Sequence, residues 1–190
     1  DVICPIINSM EFKSVLVLDP HSNVLEACLN NFIEMSIKPF YDWFMEESLI
    51  TTEDKQSSFI ISPDYGAIKR TNFIAKKYGF EKVLNCSKIR DIKTGKILDI
   101  HIPITDLGKR DCIIVDDICD GGATFIELAK QLKERNAGKV SLLVTHGIFS
   151  KGVDDLFKYI DKIYTTNSIC DFNFLSSAKG FFSLFQYKVI

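Results

Sequence analysis

Short runs of Val, Ile and Leu alternate along this chain with longer stretches in which apolar residues recur every three or four positions. Residues 15–18 read as a buried strand, stopped by Asp19-Pro20-His21-Ser22. Further strands are predicted over 58–62, 82–86, 111–115, 140–145 and 162–165. Helical spacing marks 67–78, 124–135 and 153–159 between them. Over 124–135, Phe125, Leu128, Ala129 and Leu132 fall on one face, and Lys130, Lys133, Glu134 and Arg135 on the other. Residues 96–103 alternate apolar and polar positions, as a hairpin arm at a sheet edge would. Strands alternating with helices imply βαβ units, so the expected class is α/β, a mainly parallel sheet flanked by helices. Ligands bind such sheets beyond the carboxyl ends of the strands. Attention therefore falls on four polar strand ends: Asp19-Pro20-His21-Ser22, Ser62-Pro63-Asp64-Tyr65-Gly66, the stretch 116–124 and Thr145-His146-Gly147.

Composition narrows the class of partner. A hydrophobic content of 46%, with 12% aromatics, is enough to bury a core. Basic and acidic residues nearly cancel, 23 against 25, which leaves no global field to hold nucleic acid. No apolar run approaches the roughly 20 residues a membrane helix needs. The six cysteines form no CxxC pair, and Cys86 and Cys112 lie in strand-like runs, which suits reduced core thiols. These features fit a soluble cytoplasmic protein. The chain opens at Asp1 and is apolar from Val2 onward, without the basic flank of a signal peptide. It is expected to begin inside a helix and to be a fragment of a longer protein. Phe32, Phe40, Trp43 and Phe44 suit a core or subunit contacts, and Phe181, Phe182, Phe185 and Tyr187 suit a last buried element.

The sharpest chemistry lies in Val115-Asp116-Asp117-Ile118-Cys119-Asp120-Gly121-Gly122-Ala123-Thr124, between a strand and an amphipathic helix. Gly121 and Gly122 permit a tight turn and a close approach of the backbone to a ligand. Successive amides over 121–124, just before a helix, form an anion nest reinforced by the helix dipole. Thr124 can cap the helix and also donate to a phosphate oxygen. Asp116 and Asp117 can accept hydrogen bonds from a sugar diol or help to hold magnesium. A phosphate cradle and diol acceptors within nine residues suit a ribose 5-phosphate, although a plain strand-turn-helix connection with acidic caps fits the spacing as well. Neither the Lys-Ser/Thr pair of a P-loop nor a GxGxxG fingerprint is present. On this reading Gly122→Val should abolish ribose 5-phosphate binding while leaving the fold intact.

This segment resembles the phosphoribosyl pyrophosphate loop of type I phosphoribosyltransferases and phosphoribosyl pyrophosphate synthetases. The family pattern Asp-Thr-x-Gly-Thr stands here as Asp120-Gly121-Gly122-Ala123-Thr124, so one hydroxyl donor is replaced by glycine. Ser62-Pro63-Asp64-Tyr65-Gly66-Ala67-Ile68-Lys69-Arg70 resembles the synthetases' Ser-Pro-Asp-x-Gly-Gly-x-x-Arg. Thr145-His146-Gly147-Ile148-Phe149-Ser150 resembles their Thr-His-Gly-x-Phe-Ser, and Asp19-Pro20-His21-Ser22 their Asp-Leu-His-x turn. The resemblance covers about residues 6–169 and implies the C-terminal two-thirds of a synthetase, with a type I phosphoribosyltransferase-like fold. Residues 1–40 would end a first domain and 41–190 would form a second that carries the ribose 5-phosphate loop.

The implied activity transfers pyrophosphate from ATP to ribose 5-phosphate, with Mg2+ as cofactor and a homo-oligomer as the assembly. Lys88 and Arg90 would be catalytic, while Asp116, Asp117, Asp120, Gly121, Gly122, Ala123 and Thr124 would bind ribose 5-phosphate. His21 and Asp64 would lie at the metal, and His146 would be structural. Each also has a plainer reading: His21 as a hydrogen-bonded turn histidine, Asp64 as the aspartate of a Pro-Asp-x-Gly turn, and Lys-x-Arg as a solvated pair. The family's arginine-rich nucleotide loop has no counterpart before the Asp19-Pro20-His21 turn. A phosphoribosyltransferase acting on a nucleobase and a non-catalytic synthetase subunit are the alternatives.

Overall fold

The computed structural model describes residues 2–90, 97–169 and 181–187. Six parallel strands make the main sheet: β3 (Phe59–Ser62), β4 (Lys82–Asn85), β7 (Cys112–Cys119), β8 (Val140–Gly147), β9 (Lys162–Thr166) and β10 (Phe181–Phe185). Their order across the sheet is β10-β9-β8-β7-β3-β4. The central strands carry near-continuous apolar runs because helices cover both faces. All four residues of β3 are buried, and alternation sends Phe59 and Ile61 to one face and Ile60 to the other.

The first face is covered by α6 (Ala123–Glu134), through the Phe125, Leu128, Ala129 and Leu132 stripe that the periodicity predicts. The second is covered by α3 (Lys38–Glu47) and α5 (Ile68–Tyr78), which contribute Phe40, Tyr41, Phe44, Ile74 and Ala75. The helix α5 stops where Gly79 turns left-handed at φ 81°, the usual means of closing a helix C-terminus. Ahead of β3, α4 (Thr52–Ser57) opens with a capping box in which Thr51 and Asp54 satisfy each other's amides.

Two small sheets stand apart. An antiparallel ribbon joins β5 (Ser87–Arg90) to β6 (Ile97–His101), and Ile100 anchors it in the core beneath α6. A parallel pair joins β1 (Val15–Leu18) to β2 (Phe32–Met35) around α2 (Val24–Cys28), preceded by α1 (Ile3–Ser9).

Several expectations change. The strand predicted over 15–18 forms but is not buried, since Leu16 is 57% exposed. The 153–159 helix shrinks to a single 3-10 turn, Leu156–Lys158, in which Leu156 alone is fully buried. The arm over 96–103 pairs with β5 rather than with an edge of the main sheet. The strand predicted over 111–115 runs on to Cys119, because its backbone keeps pairing with β8 past the end of the apolar run. Residue 40, after which the sequence reading divides the chain into two domains, lies in the first turn of α3, and that division stays a proposal.

The aromatic residues near it form a core cluster. Phe44 and Tyr164 meet edge-on at 4.7 Å between centroids, and Trp43 lies 5.5 Å from Phe185. Cys86, Cys112 and Cys119 are buried free thiols, each pushed up to about 12 by burial. Among the described residues no helix is long and apolar enough to cross a membrane.

Candidate functional site

The carboxyl ends of β3 and β7 open into a cleft of about 460 Å3, as expected for a parallel sheet. His21, Asp64, Lys88, Asp116, Asp117 and residues 120–124 all line it. The structure thus brings these predicted positions together from four separate stretches of chain. Arg90 ends β5, and its side chain lies outside the described residues.

Asp116 and Asp117 are adjacent on β7 but meet different surroundings. The Asp117 amide donates to Asp116 Oδ1 at 2.9 Å. His21 Nδ1 lies 2.6 Å from Asp117 Oδ2, and Arg70 Nη2 lies 3.8 Å from the same oxygen. Burial first, then the neighbouring Asp117 charge, pushes the Asp116 carboxyl up to about 7. Asp117 is also buried, which opposes ionisation, but the His21 hydrogen bond and the Arg70 charge hold it below the usual carboxylate range. The same bond to Asp117, followed by its charge, raises the imidazole of His21.

Asp64 makes its turn and faces the cleft at once. Its Oδ1 accepts from the Gly66 amide at 2.9 Å and the Ala67 amide at 3.4 Å, while Oδ2 pairs with Lys88 Nζ. Lys88 reaches it from the β5–β6 ribbon, so a long-range ion pair sets the position of that cation. His21 and Asp64 share the cleft without forming a metal cage. Among the described residues no three His, Cys, Asp or Glu side chains cluster to hold an ion. Magnesium commonly uses one or two carboxylates together with substrate phosphates, and the carboxylates here fit that limited role.

The glycine loop divides its work between two residues. Gly122, at φ 76°, caps the N-terminus of α6 without a side chain. A Cβ there would lie 3.1 Å from Leu156 Cδ2, so the turn and the packing beneath it require this glycine. A Cβ at Gly121 would instead meet the Lys151 stem at 3.5 Å, on the cleft side. Ala123 and Thr124 begin α6, so the loop delivers its amides at the positive end of a twelve-residue helix.

Sequence reasoning left Asp19, Arg70 and Lys151 out of the site. Asp19 is buried at φ 45°, and its Oδ2 accepts from Arg70 Nη1 and Thr145 Oγ1. His146 Nε2 lies 3.1 Å from the Leu18 carbonyl oxygen, and its Nδ1 lies 2.8 Å from Ser168 Oγ. Together these bonds fasten the Asp19-Pro20-His21 turn to α5 and β8. Arg70 ends the Ser62-Pro63-Asp64 segment that resembles the synthetases, but Asp19, which it pairs with, lies 51 residues away. Spacing cannot reveal a partner at that distance.

Residues 99–179 match a family model described as the phosphoribosyl synthetase-associated domain. Over 168 residues the chain is 31% identical to the ribose-phosphate pyrophosphokinase of Mycoplasmopsis pulmonis, covering 87% of this chain and 50% of that protein. The corresponding protein of Ureaplasma parvum is 28% identical over 176 residues, again covering 50% of its length. Over most of its own length the chain is similar to the ribose-phosphate pyrophosphokinases. It spans about half the length of the synthetases it matches. The fold agrees. A phosphoribosylpyrophosphate synthetase from Mycobacterium smegmatis superposes with a TM-score of 0.78 at 18% identity, over 97% of this chain and 58% of that one. An adenine phosphoribosyltransferase superposes at 0.52 over only 67% of this chain, so the synthetase fold accounts for more of it.

Proposed function

We propose that this chain carries the ribose 5-phosphate side of a ribose-phosphate diphosphokinase. The reaction moves the pyrophosphoryl group of ATP to the anomeric hydroxyl of ribose 5-phosphate. A bond forms between that oxygen and the β-phosphorus as the hydroxyl gives up its proton to solvent, the bond from the β-phosphorus to the α-phosphate oxygen breaks, and AMP leaves with the electron pair. The observation that carries the reading is the single cleft in which the loop at the head of α6, the Asp116–Asp117 pair and Lys88 converge. The loop amides over 121–124 would hold the sugar's phosphate, and the two carboxylates would accept hydrogen bonds from its diol. Lys88, with Arg90, would oppose the negative charge that spreads over the transferring group.

Magnesium, when bound, neutralises phosphate charge and aligns the group being transferred. Asp64 and His21 face the cleft where they could assist in holding it. Assembly as a homo-oligomer and a cytoplasmic location accompany this reading. Extension of the synthetase fold over nearly the whole chain favours it over a phosphoribosyltransferase. The test is an assay of the intact protein with ATP, ribose 5-phosphate and magnesium. Equimolar AMP and phosphoribosyl pyrophosphate, lost on chelation, are expected. Transfer of a phosphoribosyl group to a nucleobase without use of ATP would overturn the assignment.

A further inference from the structure

Lys151 lies just beyond the segment that resembles Thr-His-Gly-x-Phe-Ser, and the functional reading leaves it unused. Its side chain lines the same cleft as Asp120, Gly121, Gly122 and Thr124. Both Cδ and Cε lie 3.5 Å from the point that a Cβ on Gly121 would occupy. The stem therefore runs across the bare face of Gly121, and the ammonium group sits one bond further on. Every ion pair that a lysine makes among the described residues belongs to Lys38, Lys88, Lys133, Lys158 or Lys162. Lys151 thus brings an uncommitted positive charge to a loop of amide donors. Lys88, the other lysine in the cleft, is already committed to Asp64.

Gly121 explains why this lysine is accommodated. The loop pattern that this segment resembles has a threonine where Gly121 stands. A Cβ there would already touch the Lys151 stem, so the further atoms of a threonine would compete with it for space. Loss of one hydroxyl donor and gain of one cation thus occur at the same spot, contributed by chain segments 30 positions apart. A charged donor to a phosphate oxygen forms a stronger hydrogen bond than a neutral hydroxyl does.

We propose that Lys151 binds the phosphate group of ribose 5-phosphate, taking over the role of a hydroxyl donor missing at Gly121. This inference rests on the functional reading above. The experiment is calorimetric titration of the intact protein with ribose 5-phosphate, at low and high salt. Lys151→Gln should weaken binding about tenfold and flatten its dependence on salt. Lys151→Arg should retain most of the affinity. In a Lys151→Ala background, adding Gly121→Thr should recover part of the loss, because it restores a hydroxyl where the stem no longer lies. Unchanged affinity and an unchanged salt slope in Lys151→Gln, with normal binding by the native protein, would overturn the role of Lys151 alone. A native protein that binds no ribose 5-phosphate would overturn both the functional reading and this inference.

Discussion

Asp116 and Asp117 are chemically identical neighbours that the fold separates by their contacts. Asp117 has a histidine and an arginine against one oxygen, whereas Asp116 is buried beside a like charge. Asp116 titrates at about 7 when folded against an ordinary 3.8, so the folded state binds its proton more tightly. That contribution to stability is complete below about pH 3.8 and is lost as pH rises through about 7. The raised imidazole of His21 acts in the same sense, from its ordinary 6.5 upward. Asp117, held low, contributes in the opposite sense and loses its contribution only in acid. Asp116→Asn should therefore raise the melting temperature by about 5 °C at pH 8 and by close to nothing at pH 4. An equal gain at both pH values would show that ionisation of Asp116 carries no such cost. Lys88→Ala should lower turnover by roughly 100-fold to 1000-fold with little change in ribose 5-phosphate affinity. Steady-state kinetics set beside calorimetry will separate the two effects.

Among the elements, the loop before α6 shows how two adjacent glycines differ. At φ 76°, with Leu156 only 3.1 Å from where its Cβ would be, Gly122 cannot be valine without strain and a clash. Gly122→Val should cost about 2–4 kcal/mol, seen as a lower denaturant midpoint, in addition to weakening phosphate binding. This revises the expectation of an intact fold, which sequence alone supports because it cannot show that Leu156 lies beneath the turn. The central strands β3, β7, β8 and β9 were legible because a parallel sheet buried on both faces leaves apolar runs bounded by turns. The strand β2 was not legible: Phe32-Ile33-Glu34-Met35 is short, and only partly buried at its ends. The helix predicted over 153–159 failed because Val153 and Leu156 anchor a turn without extending it. The turns after β1 and β3 and the loop before α6 were legible as motifs because they follow apolar runs, whereas Asp116 and Asp117 lie within β7 and Lys88 within β5.

At the scale of the whole molecule, the contacts that assemble the site join residues far apart in sequence, and spacing could not show them. Asp19 binds α5 and β8 together through Arg70 and Thr145, and His21 binds the same turn to β7. Removing one partner of a buried ion pair leaves the other charge uncompensated. Asp19→Ala should therefore loosen residues 15–36 before it loosens the six-stranded sheet. Hydrogen exchange should rise by about tenfold or more in the β1–β2 pair while β7 and β8 keep their protection. Uniformly faster exchange across both regions would mean that the turn is integral to the core. Arg70 also meets the Tyr41 hydroxyl at 3.5 Å, so one side chain on α5 reaches both α3 and the Asp19 turn.

The ribbon that carries Lys88 has a thermal consequence. The strand β5 pairs with β6 and not with the main sheet, and a two-stranded ribbon has little stability of its own. Among the described residues, its hold on the body of the protein includes Ile100 in the neighbouring strand, the buried Cys86 and Ile102 that flank the ribbon, and the pairing of Lys88 with Asp64. Gentle warming should detach this lever before the sheet melts, withdrawing the cation while the loop before α6 stays formed. Catalysis should then fade at a lower temperature than the cooperative unfolding transition and return in full on cooling. On the proposed function, the protein would lose turnover on heating while still able to hold ribose 5-phosphate.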